Sequence, residues 1–208
     1  MNQPCLDIML TGVTGAGKST TLNSLLQAPV AKVGEGVDPE TMKINSYMLN
    51  PYFRLWDTPG LGDGVGKDAV HERKIKELLR RPWLASNGRA FLDMVVVIIE
   101  GSKRDLGTTT RLLEKVILPN ISGDRVLVAI NQSDIAMKGR NWDHCRHIPE
   151  YSLVSYLDEF SNSLRQRIYN DTKLRIPKPI YYSATENYNI DVFLDHIINN
   201  IPSKMRLL

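Results

Sequence analysis

Gly12-Val13-Thr14-Gly15-Ala16-Gly17-Lys18-Ser19 has the residue types and spacing of a phosphate cradle, G-x-x-x-x-G-K-[ST]. Glycines let successive backbone N–H groups converge on phosphate oxygens, and a helix starting there adds the positive end of its dipole. Lys18 is expected to bridge β- and γ-phosphates and Ser19 to put its hydroxyl on Mg²⁺. Thr14, Gly15, Ala16, Gly17 and Thr20 complete the expected nucleotide-binding run. A second segment, Trp56-Asp57-Thr58-Pro59-Gly60, offers the Asp57 carboxylate to the same metal. Gly60, lacking a side chain, can bring its N–H close to a γ-phosphate, a contact that vanishes with a diphosphate. Leu61 to Gly66 holds three glycines in six residues, which suits a loop that orders and disorders cheaply. Thr41 follows the irregular stretch Ala28 to Glu40 and is the candidate for a second hydroxyl on Mg²⁺, with its N–H on the γ-phosphate. Lys18, Thr41 and Gly60 therefore carry the catalytic expectation; Ser19, Thr41 and Asp57 carry the metal.

A phosphate cradle alone does not separate a GTPase from an ATPase or a small-molecule kinase. Asn131-Gln132-Ser133-Asp134 does more. A carboxylate at Asp134 can accept bonds from both N1–H and the exocyclic amino group of guanine, donors that adenine does not present in that arrangement. Asn131 is expected to tie this segment to the cradle. In Ser183-Ala184-Thr185 a backbone N–H can bond guanine O6. Either segment alone is common by chance; both stand in order after the cradle and Asp-x-x-Gly.

These segments need strand ends to hold them. Apolar runs of strand length cover Leu6 to Thr11, Lys43 to Leu49, Tyr52 to Asp57, Asp93 to Glu100, Arg125 to Ile130 and Ile180 to Ser183. Asn50-Pro51 marks a tight turn, so the second and third are expected to pair antiparallel. Helical spacing covers Ser19 to Gln27, Asp68 to Arg80 (Val70, Ile75, Leu78, Leu79), Leu106 to Ile117, Tyr151 to Tyr169 and Ile190 to Ile201, with Asn189 an N-cap candidate. Ala28 to Thr41 and Met137 to Pro149 resist assignment. The alternation predicts an α/β fold with three α/β/α layers: a six-stranded, mostly parallel sheet with one antiparallel strand, its ligand at the carboxyl ends of the strands.

Length and composition fit one domain over residues 1–208: 42% hydrophobic residues suffice for a core, and a net charge of +3 points to neither nucleic acid nor a membrane surface. Two cysteines, Cys5 and Cys145, and no leader-like or membrane-length apolar run make a cytoplasmic protein the expectation. His144-Cys145-Arg146-His147 holds three donors with no second cluster to complete a tetrahedral site, so it reads as a plain loop.

On Gly12 to Ser19, Thr41, Asp57 to Gly60, Asn131 to Asp134 and Ser183-Ala184, the chain resembles P-loop GTPases of the Era/TrmE/septin-like group. Asp105-Leu106-Gly107 and Gly139-Arg140-Asn141-Trp142-Asp143 make it similar to bacterial, often prophage-encoded YfjP/YeeP-type GTPases in particular. The resemblance implies a P-loop G domain, GTP or GDP as ligand and Mg²⁺ as cofactor. It depicts a molecular switch that hydrolyses GTP for a protein effector the sequence does not name. Septin-like relatives add a GTP-dependent homodimer, and Era-like ones an RNA or ribosome partner. Three positions depart from the pattern. Gln132 replaces the lysine whose stem packs on the guanine face. Gly15 replaces the asparagine through which potassium is bound, so potassium activation does not carry over. Leu61 cannot do the work of the water-orienting glutamine of Ras-like enzymes, so slow intrinsic hydrolysis is expected. Arg54 and Arg104 are the candidates for charge stabilisation, each weighed against a plain surface arginine.

Overall fold

The computed structural model describes residues 5–29, 45–62, 64–83, 88–102 and 106–208. Along the chain lie β1 (Leu6–Gly12), α1 (Lys18–Leu26), β2 (Asn45–Asn50), β3 (Phe53–Asp57), α2 (Val65–Leu79), β4 (Met94–Glu100), α3 (Gly107–Leu112) and β5 (Val126–Asn131). They are followed by β6 (Trp142–Asp143), β7 (Ile148–Pro149), α4 (Tyr151–Thr172), β8 (Ile180–Tyr181) and α5 (Ile190–Ile198). Six strands form one sheet in the order β2-β3-β1-β4-β5-β8. All pairings are parallel except β2 with β3. The tight turn between those two is an Asx turn: the Asn50 side-chain oxygen accepts the Tyr52 N–H at 2.8 Å.

Successive side chains of a strand face opposite sides, and the inner strands divide accordingly. Ile8 and Leu10 of β1, Met94, Val96 and Ile98 of β4 and Leu127 of β5 share a cluster with Leu22 of α1 and Phe193 and Ile197 of α5. Met9, Val95, Val97, Ile99, Val126, Val128 and Ile130 share the other with Ile75 and Leu79 of α2, Leu112 and Leu164. The sheet is therefore sandwiched between α1/α5 and α2/α3/α4, the three layers expected. Parallel register brings Gly12, Asp57, Glu100 and Asn131 to the same edge: Leu10 pairs with Asp57, Gly12 with Ile98, and Glu100 with Asn131.

Two local expectations need correction, and two segments gain detail. In α2 the buried stripe is His71, Ile75, Leu78 and Leu79; Val70 is exposed. The helix expected over Leu106 to Ile117 turns into a π-helix at Leu113–Ile117. There Leu112-Leu113 and Val116-Ile117 are all buried, and the wider turn lets two adjacent pairs face the core. Asn189 stands at the N-cap of α5 in a left-handed conformation, yet makes no side-chain cap bond; its amide donates to the Tyr181 carbonyl at 3.1 Å. The unassigned 137–149 stretch contains the β6–β7 hairpin, whose Trp142 is buried with Ala136, Leu153 and Leu157. Among the described residues no helix is long and apolar enough to cross a membrane.

Candidate nucleotide-binding site

The cradle runs from the end of β1 into α1 as expected. Gly17 is the N-cap of α1 at φ 81°, and a Cβ there would lie 2.2 Å from Asn131 Nδ2. Only glycine meets both demands. No side chain caps α1, and its first turn holds no acidic residue. It holds Lys18 instead, only 6% exposed, whose Nζ donates to the Val13 carbonyl at 2.9 Å. A cation at the positive end of a helix that no side chain caps suits an anion placed between the two.

Ser19 Oγ donates to Asp57 Oδ2 at 2.8 Å, so the two expected metal ligands on these elements adjoin. Thr58 Oγ1 anchors the next residue to the Leu10 carbonyl at 2.9 Å. Beyond it the chain runs as a strand-like strip against the cradle. Leu61 N–H donates to the Gly12 carbonyl at 3.2 Å, and Thr14 N–H to the Leu61 carbonyl at 2.8 Å. Thr14 thereby commits its N–H to the protein. A Cβ on Gly60 would lie within 2.6 Å of Thr14 backbone atoms, so the close approach excludes any side chain. The Leu61 side chain is 2% exposed and lies in the same core cluster as Ile75, Leu79 and Leu106.

Asn131 joins three segments. Its Nδ2 donates to the Ala16 carbonyl at 2.9 Å, and its Oδ1 accepts the Ala184 N–H at 3.0 Å. The cradle, Asn131 to Asp134 and Ser183-Ala184 are thus brought together by one amide. Gln132, in the left-handed region at φ 60°, adds a second tie: its Nε2 donates to the Gly15 carbonyl at 2.8 Å. Sequence reasoning considered Gln132 only as a platform for the base and missed this bond; the signal available was an amide donor next to a cradle rich in carbonyls. Asp134 keeps one buried carboxylate oxygen, Oδ1, with no partner among the described residues. Ser183 is fully buried; it exchanges backbone bonds with Tyr188, and its Oγ accepts the Glu186 N–H. Ala184 gives its N–H to Asn131, so the donor expected for guanine O6 is already engaged. Thr20, on the first turn of α1, is half-buried.

Thr41 and Arg104, with Lys103 and Asp105, lie outside the described residues. Arg54 lies near the start of β3 and is neither a plain surface arginine nor near the cradle. Its guanidinium bonds the fully buried Asp7 through Nε at 2.5 Å and Nη2 at 3.0 Å, at the opposite edge of the sheet. His147 Nδ1 pairs with Glu186 at 2.5 Å, and Cys145 is exposed. The 144–147 run thus serves the hairpin turn. Sequence reasoning also missed His71, whose Nδ1 lies 2.7 Å from the Gly60 carbonyl; its only signal is a histidine in register with the apolar stripe of α2.

The site can be tested for Mg²⁺ on its own donors. They are a hydroxyl and one carboxylate, all oxygen, and among the described residues no group of three His, Cys, Asp or Glu could hold a metal. That set fits a hard ion that keeps waters and takes phosphate oxygens as further ligands, and does not fit zinc.

Comparisons with known proteins bear on the fold and the family. Residues 7–132 match the family model of the 50S ribosome-binding GTPases, more than half of the chain. No curated protein matches the sequence. Among solved structures, Era from Aquifex aeolicus bound to GDP·AlF4⁻ is similar at 16% identity with a TM-score of 0.58, over 97% of this chain and 58% of that one. The chain therefore spans little more than half of that protein. Toc33 from Arabidopsis thaliana with GDP and Mg²⁺ is similar at 15% identity and TM-score 0.65, over 100% and 87% of the two chains. A structure of the chloroplast translocon components atToc33 and psToc159, in which dimerisation is important for GTPase activity, is similar at 16% identity and TM-score 0.67, over 99% and 86%. At such identities the likeness speaks for the fold, and the family match over the cradle, the Asp-x-x-Gly segment and Asn131 speaks for the lineage. This chain belongs to the 50S ribosome-binding GTPase family.

Proposed function

We propose that residues 1–208 act as one GTP-binding domain that hydrolyses GTP to GDP and phosphate and reports the nucleotide state to a protein effector. The observation that carries the reading is the start of α1, where Lys18 is buried at a helix N-terminus that no side chain caps, next to the Ser19–Asp57 pair. In this reading Gly15, Ala16, Gly17, Lys18, Ser19 and Thr20 surround the phosphates. Ser19 and Asp57, with Thr41, hold Mg²⁺, which when bound neutralises charge shared by the β- and γ-phosphate oxygens. The orphaned Asp134 oxygen accepts from guanine. Gly60 offers its N–H to the γ-phosphate. The narrower kinship with YfjP/YeeP-type GTPases, and a cytoplasmic location, belong to the same proposal.

The test is titration of the purified chain with labelled GTP and ATP in Mg²⁺, repeated with Asp134→Asn. The unmutated chain should prefer GTP, and the variant should lose that preference. Equal affinity for ATP before mutation would overturn the assignment of the base.

Burial of Leu61 favours a second, compatible reading. No side chain at that position reaches a water on the phosphate, so hydrolysis by the isolated chain should be slow, and the missing group should come from a partner. A second copy of the chain is one source, as the translocon structure suggests. Sedimentation with a GTP analogue and with GDP checks it: a dimer confined to the analogue supports this source, and a monomer in both removes it. Co-sedimentation with ribosomes tests the partner in the family's description.

A further inference from the structure

We infer that His71 is a positioning residue of the phosphate site: its Nδ1–H holds the Gly60 carbonyl and thereby sets the Gly60 N–H for a γ-phosphate and ties it to α2. The inference rests on the proposed binding of GTP.

His71 Nδ1 lies 2.7 Å from the Gly60 carbonyl oxygen, and the residue is 2% exposed. A carbonyl only accepts, so Nδ1 carries the proton. The peptide between Gly60 and Leu61 is therefore held at both ends, its carbonyl by His71 and its N–H by the Gly12 carbonyl. Upstream, Thr58 is fixed to Leu10, and Pro59 has its φ locked by its ring. Gly60 is thus clamped from both sides. Of residues 59–61, Pro59 has no N–H and Leu61 has committed its own. The Gly60 N–H takes no acceptor among the described residues. It is the one donor of this strip left for a ligand, and its direction is limited on one side by the fixed ring of Pro59 and on the other by the carbonyl that His71 holds.

The same helix takes the loop at a second point. Asp68 Oδ1 accepts the Gly62 N–H at 2.8 Å. Asp68 and His71 are three apart and so neighbours on one face of α2. One helical face therefore grips the backbone at residues 60 and 62. A pull on the Gly60 N–H by a third phosphate is felt by α2 through His71 directly. A histidine that merely filled the core would have no such directional effect.

The experiment compares His71→Leu, which removes the donor, with His71→Asn, whose amide nitrogen can stand where Nδ1 stands. Each is titrated with labelled GDP and with a non-hydrolysable GTP analogue in Mg²⁺. The expected result is a loss of roughly fivefold in analogue affinity for His71→Leu with GDP affinity unchanged, and recovery in His71→Asn. An equal loss for both nucleotides, or none, would overturn the inference. Should His71→Leu fail to fold, ¹⁵N spectra of the histidines in the unmutated chain decide. A protonated Nδ1 on His71 whose signal shifts with the analogue but not with GDP supports the inference, and any other pattern removes it. If the unmutated chain binds no GTP at all, the proposed function has failed instead, and the two failures are told apart before any variant is made.

Discussion

The side chain of Asn131 does the work of a buckle. Two directional bonds, one given and one accepted, join three segments far apart in sequence. Asn131→Ala should therefore weaken GTP and GDP alike, at least tenfold by titration, since the cradle and the base loop lose their common anchor. Gly17→Ala should do more damage. Its methyl group would collide with that same amide in a backbone conformation L-residues avoid, and the variant should bind no nucleotide while retaining helical circular dichroism. At this scale much was legible. Lys18, Ser19 and Asp57 stand where spacing put them because each sits within two residues of a strand end or helix start, and register decides the rest. The bond of Gln132 to Gly15, and the engagement of the Ala184 N–H, were not legible. Both depend on which way an amide turns across a gap between loops, and no periodicity encodes that.

At the scale of elements, β1, β4 and β5 are buried along nearly their whole length, as strands covered on both faces are, and their continuous apolar runs made them legible as the centre of the sheet. The π-turn after α3 was hidden because Leu112-Leu113 and Val116-Ile117 satisfy a helical pattern until one asks which single face holds all four. The β6–β7 hairpin was hidden for another reason. It is two residues per strand and is organised around Trp142, whose ring meets Tyr188 edge-on at 5.5 Å between centroids. Trp142→Ala should cost about 3 kcal/mol of stability by denaturant titration. It should also loosen the loop at Ser183, because Tyr188 exchanges both backbone bonds with that residue. Hydrogen exchange at residues 183–188 measures the second effect.

For the whole molecule, the edge of the sheet opposite the cradle is bound by charge. Asp7 takes Arg54 and the Trp56 indole, and Asp93 takes the Asp7 N–H and Arg89. Arg206 extends the network, donating to the carbonyls of Leu92, Leu79 and Asn120. Arg206→Ala should lower stability by about 2–4 kcal/mol, leaving buried carbonyls without donors, while GTP preference over ATP stays as it was. Acid should act elsewhere. Burial holds the His196 imidazole below its ordinary value of 6.5, against a backbone bond to Val128 that raises it. The unfolded chain then takes up the proton first. Stability present above pH 6.5 is lost as pH falls from there through the depressed folded value. Thermal midpoints against pH should show that slope, and His196→Asn should flatten it.

Arg206 has a mechanical corollary for α2. The helix has 15 residues, about 22 Å at 1.5 Å per residue, and its far end is pinned where Arg206 grips Leu79. Its near end emerges from Gly62 and Gly64, both at positive φ. With the far end pinned, any displacement of α2 that follows the loop at residues 60–62 is a tilt. Such a tilt would be largest around residue 65 and smallest near residue 79, so a protein that reads it would touch the first turns of that rod.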